Sequence, residues 1–102
     1  MQRKTLDERI HAASVEFSQL HQAVARGITS DNYAKLETAL IKARNIWQTL
    51  AKEATDVRRD NLAEEAKRHV DFCSKNLEEI AKIAIEKKEK AASIEFNGNH
   101  PI

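Results

Sequence analysis

Two glycines, one proline and one cysteine are all that this chain of 102 residues contains of those types, and the shortages exclude much. A β-sandwich or barrel needs regular tight turns rich in glycine and proline, so that class is nearly excluded. One cysteine makes no disulfide framework, which fits a reducing, cytoplasmic compartment. No run of about 18 apolar residues occurs, so no membrane-spanning segment is expected. Met1-Gln2-Arg3-Lys4 leads into an amphipathic pattern, and a secretory signal is not expected either. Charge of one sign is also missing. Seventeen Lys and Arg stand against sixteen Asp and Glu, a net charge of +1. That balance argues against a histone-like basic binder and against an acidic nucleic-acid mimic.

What is present is helical patterning. With 41% apolar and 32% charged residues, one domain with a modest core under a charged surface is expected. Thr5-Leu6-Asp7-Glu8 has the form of a capping box. Leu6, Ile10, Ala13, Phe17, Leu20 and Val24 follow at alternating spacings of four and three, the 3.5-residue repeat of a coiled-coil-like seam. Gly27 is a natural stop. Ser30 is the favoured cap of a second helix, whose seam is Tyr33, Leu36, Leu40, Ala43, Trp47, Leu50, Ala54 and Val57. Ala39 and Ile46 widen that stripe, as a helix between two neighbours requires.

No glycine or proline separates the second segment from the third, so the register decides. The third seam reads Ala63, Ala66, Val70, Cys73, Leu77, Ile80 and Ala84. It is offset by two residues from the second, roughly 200° around a helix. Stutters and stammers insert four or three residues, not two. A turn at about 58–61 is the economical reading, with Asn61 and Glu64 forming a second capping box. Glu64–Arg68, Asp71–Lys75 and Glu78–Lys82 are expected i,i+4 ion pairs. The expected fold is all-α: an antiparallel three-helix bundle with heptad-type seams, dimerising into a larger helical bundle. Residues 1–96 form the single domain, with helices at about 6–26, 31–57 and 62–92, and residues 97–102 form a flexible tail.

Catalytic motifs are missing: no phosphate-binding glycine loop, no GxSxG and no HExxH. Neighbouring carboxylates at Asp7–Glu8, Glu64–Glu65 and Glu78–Glu79 fall at capping or outward positions. His69 and Cys73 share a helix face at i,i+4, a spacing a metal can bridge, but two ligands make a poor site. The expectation is therefore a non-enzymatic protein without cofactor or metal. Trp47 and Tyr33 lie on a seam and are read as core, with the Trp47 indole N–H reaching a partner at the rim.

Apolar residues off the seams are the informative anomaly. With Trp47 and Val70 at position a, Ile41 and Ile85 fall at b, Phe72 at c and Val15 at f, while Leu62 and Ile83 flank at g. A helix apolar on more than one side is buried on more than one side. The leading expectation is thus a protein-interaction module (an adaptor, inhibitor or chaperone-like bundle). It would bind another protein, and a second copy of itself, through Phe72, Ile83 and Ile85, with Ile41 as a further contact. Ile94 and Phe96 could add a short linear element. The alternative is a regulatory nucleic-acid-associated protein. It would use Arg58, Arg59 and the distal Lys87, Lys88 and Lys90, although acidic neighbours dilute both groups.

Overall fold

The computed structural model describes the backbone of residues 5–99 and the side-chain surroundings of residues 5–90. It contains α1 (Leu6–Ala25), α2 (Tyr33–Asp56) and α3 (Asp60–Asn99), and no strand among the described residues, so the fold is all-α. None of these helices is long and apolar enough to cross a membrane. The third helix continues to Asn99, past the end near 92 that the fading seam suggested. The side chains of Ile94 and Phe96, and residues 100–102 of the expected tail, lie outside the described residues.

Local chemistry sets each boundary. The Thr5 hydroxyl accepts from the Glu8 amide and donates to the Glu8 carboxylate, both at 3.2 Å, so α1 opens on the side-chain pair the sequence indicated. Asp7 and Glu8 place negative charge in the first turn, where the helix dipole favours it. Gly27 ends α1 with φ +112°, a conformation that costs glycine little, and its amide donates to the Val24 carbonyl at 2.9 Å.

The second cap differs from expectation. Ser30 does not close α2; Thr29 and Asn32 do. The Thr29 hydroxyl accepts from the Asn32 amide at 3.2 Å, and the Asn32 side-chain oxygen accepts from the Thr29 amide at 2.7 Å. This reciprocity needs side chains that complement one another three residues apart. Ser30 would have Tyr33 in that place. Asn32 also donates through Nδ2 to the Gly27 carbonyl at 3.0 Å, stitching the end of α1 to the start of α2.

The break between α2 and α3 falls where the two-residue phase slip requires it. Arg58 donates its amide to the Thr55 carbonyl at 3.0 Å, and Arg59 donates to Ala54 at 2.8 Å. This is the doubled bond pattern of a Schellman ending, with Arg58 in the left-handed position at φ +59°. The chain re-enters a helix at once, because the Ala63 amide already donates to the Arg59 carbonyl at 3.0 Å. Asn61 therefore lies within the first turn of α3 rather than capping it. On the exposed side of α3, Lys82 pairs with Glu79 at 3.1 Å, not with Glu78.

The seams become the core. Ile10, Ala13, Phe17 and Leu20 of α1, Leu36, Leu40, Trp47 and Leu50 of α2, and Ala66, Cys73 and Ile80 of α3 are buried in one cluster. α2 packs closely on both other helices, whereas no Cα of α1 comes within 8 Å of α3 among the described residues. Aromatic rings bridge that wider gap. Phe17 of α1 stacks on His69 with centroids 4.1 Å apart and meets Phe72 edge-on at 5.2 Å. Trp47 of α2 meets Phe17 edge-on at 6.0 Å and His69 at 4.4 Å. Such tilted and offset ring pairs contribute about 0.5–1.5 kcal/mol each beyond their burial.

Polar contacts mark the two ends of the packed helices. Arg9 lies 2.7 Å from Glu53, and Arg59 lies 2.8 Å from Asp7. The Glu53 oxygen concerned is buried without an aligned hydrogen bond, so that contact is purely ionic. At the other end Lys87 donates to the Ser30 carbonyl at 3.0 Å and sits 5.3 Å from the centre of the Tyr33 ring. Beyond Lys87, α3 runs past the start of α2. At 1.5 Å per residue, α3 is about 60 Å long and α2 about 36 Å.

Arg58 provides a direct check on the reversal. A left-handed backbone costs an L-residue about 1 kcal/mol that glycine does not incur. Arg58→Gly should therefore raise unfolding stability by about 1 kcal/mol in urea titration, with an unchanged m-value. A loss of stability would show that the arginine side chain contributes more than its backbone costs.

Candidate partner-binding groove

α1 and α2 form one face of the molecule on which α3 contributes no residue. Ala12, Ala13 and Glu16 of α1 oppose Asn45, Ile46, Thr49 and Leu50 of α2 across a shallow depression of about 460 Å³. A second depression, about 180 Å³, shares Ala13, Glu16 and Ile46 with the first and reaches Leu20, Ala39 and Lys42. A third, about 500 Å³, shares Glu16, Leu20 and Ala39 with the second and ends at Arg26, Asn32 and Lys35. Shared lining residues make these one continuous groove. From Arg9 to Arg26 it runs roughly 25 Å at 1.5 Å per residue.

The sequence produces this groove through residue size. Small residues, Ala12, Ala13, Ala23, Ala39 and Ala43, alternate with Leu20, Leu36 and Ile46 along its floor and walls. Alanines leave room where leucines would have filled the space between the helices. Ala39 and Ile46, which widen the α2 stripe in the sequence, border α1 here and leave the groove partly apolar.

The rim is charged and uneven. Arg9 closes one end through its contact with Glu53. Further along, Arg26, Lys35 and Lys42 stand against Glu16 alone, and none of these four makes an ion pair among the described residues. The groove therefore couples an apolar floor to a net positive border over most of its length.

The off-seam apolar residues of the sequence do not converge. Phe72 is half-buried, with its ring on Phe17 and stacked on His21 at 4.9 Å, so the fold already uses much of it. Ile83 is half-buried too. Ile85 and Ile41 are exposed, at 57% and 39%. Ile85, two positions before Lys87, is level with the start of α2 but on the opposite side of α3 from the Lys87–Ser30 contact, whereas Ile41 is eleven positions beyond Ser30, roughly 16 Å along α2. They make two separate small patches. Val57 is exposed although it lies on the seam, because α2 ends at Asp56.

The basic residues are likewise dispersed. Arg58 and Arg59 occupy the α2–α3 turn, with Arg59 neutralised by Asp7. Lys87, Lys88 and Lys90 lie some 28 residues further along α3, about 42 Å away. Lys87 is engaged by Ser30 and Tyr33.

Titratable groups in the interior behave as burial dictates. The Cys73 thiol is buried and pushed up to about 11 by desolvation, against a smaller opposing effect of Arg44. His69 is held below its ordinary value, chiefly by burial. Arg68 and His21 push it the same way, and the Glu65 carboxylate 3.9 Å away opposes them. Among the described residues no three His, Cys, Asp or Glu side chains come together to hold a metal.

Two outcomes follow. A folded-state proton affinity below the unfolded one means that lowering the pH stabilises the unfolded chain first. Stability should thus begin to fall as pH drops below about 6.5 and stop falling on this account below the folded value. His69→Phe, which keeps a ring against Phe17, should flatten that part of a melting-temperature profile. Cys73 should resist alkylation at pH 8 in the native protein, its labelling rate tracking the rate of unfolding in dilute denaturant. Rapid labelling of the folded chain would contradict its burial.

Comparison with known proteins finds no family model, no curated protein and no solved structure that matches the chain.

Proposed function

We propose that this chain is a non-enzymatic, cytoplasmic protein-interaction module, built as an antiparallel three-helix bundle that binds another protein along the α1–α2 groove. Support for the antiparallel order comes from its end contacts. Arg9 at the start of α1 meets Glu53 at the end of α2, and Lys87, distal in α3, meets Ser30 before α2. The single observation that carries the functional reading is the groove: long, apolar at its floor and unoccupied by any element of the described chain. Binding by laying a helix into such a groove reuses the packing that holds the bundle together. A single cysteine with no second thiol to pair with suits a reducing compartment.

Self-association through α3 has less behind it, since Phe72 and Ile83 are half-buried within their own chain and Ile85 and Ile41 stand apart. The nucleic-acid reading has less again. A phosphate track needs adjacent uncompensated cations, and the two basic groups lie at opposite ends of the bundle.

Capture from native lysate separates these surfaces. Ala39 is exposed and central in the groove, so Ala39→Glu places a charge there without disturbing the core. A partner held by the native chain should be lost on Ala39→Glu and retained on Ile85→Glu, with helicity and melting unchanged in both. The reverse pattern would move the site to α3 and defeat the groove assignment.

A further inference from the structure

We infer that the groove selects an acidic amphipathic helix of a partner protein, an inference that rests on the docking role proposed above. Shape sets the first requirement. The groove is about 25 Å long, the length of some 17 helical residues. Both of its walls are helices, so a third helix laid between them packs ridges into grooves. Size sets the second. Ala13, Ala23 and Ala39 leave hollows that accept bulky Leu, Ile or Phe side chains from the incoming helix, spaced at i, i+3, i+4 and i+7.

Charge sets the third requirement and distinguishes one partner from another. Three cations, Arg26, Lys35 and Lys42, border the groove against the single carboxylate of Glu16. None of the three lies within 4.0 Å of a carboxylate among the described residues. A helix flanked by Glu or Asp would neutralise them; one flanked by Lys would meet like charge. A second copy of this chain fits less well, because it would bring the same basic border against itself.

The test uses two synthetic 17-residue peptides with identical leucines at the i, i+3, i+4 and i+7 positions, one flanked by Glu and one by Lys. Labelled peptides are titrated with the full chain and followed by anisotropy, with Trp47 emission as the reporter at the groove floor. The Glu peptide should bind about tenfold more tightly than the Lys peptide and weaken as salt is raised. The double substitution Lys35→Glu with Lys42→Glu should reduce Glu-peptide binding by about tenfold and improve Lys-peptide binding. Ala39→Glu should reduce both.

Equal affinity for the two peptides, still lost on Ala39→Glu, would overturn the acidic preference and leave the groove as a docking site. Binding insensitive to Ala39→Glu would overturn the groove itself. No binding of either peptide would also overturn the inference. A light-scattering mass of two chains that returns to one on Ala39→Glu would then assign the groove to a second copy.

Discussion

The bridge of rings between α1 and α3 is the constraint on which the rest of the molecule depends. α2 touches both neighbours directly, but α1 reaches α3 through rings, Phe17 and His21 meeting His69 and Phe72, with Trp47 closing the group from α2. Magnitudes rank the contributions. Removing a buried Phe or Trp side chain costs about 3–5 kcal/mol, a large share of the roughly 5–15 kcal/mol that holds a domain together. The part-exposed pairs Arg9–Glu53 and Arg59–Asp7 contribute at most about 1 kcal/mol each. Those pairs set register at one end; the rings keep α1 in place.

The same bridge explains why one face stays open. Phe17 of α1 reaches across to α3, while Ala12, Ala13 and Ala23 are left beside Leu20 on the border with α2. A helix sequence has one limited set of large apolar residues. Committing Phe17 to the ring bridge completes the core and leaves a trough bordered by alanines between α1 and α2.

Much of the architecture was legible in the chain. The positions spaced by threes and fours are nearly all buried or half-buried, and the phase slip lies beside the break at Arg58. Capping was less legible. Ser30 and Thr29 are equivalent by residue type, and only the complementary reach of Asn32 separates them. Asn61 looked like a cap because the backbone bonds of Arg58 and Arg59, which start α3 early, carry no residue signature. The groove was the least visible feature. Ala39 and Ile46 could be seen to widen a stripe, but which neighbour they would meet depends on how the helices rotate. Phe72 misled for a related reason: its heptad position faces away from a narrow seam, yet a long aromatic ring reaches across a wide gap to Phe17 and His21.

The left-handed arginine between α2 and α3 leaves the hinge at odds with its own local preference. Were residues 57–59 all helical, α2 and α3 would fuse into a single rod from Tyr33 to Asn99. Such a rod would recover about 1 kcal/mol of backbone energy and forfeit every contact between the two helices, unless a second rod supplied them in exchange. What keeps the chain folded on itself is thus distributed along the whole α2–α3 seam, while the bend that permits it occupies only residues 57–59.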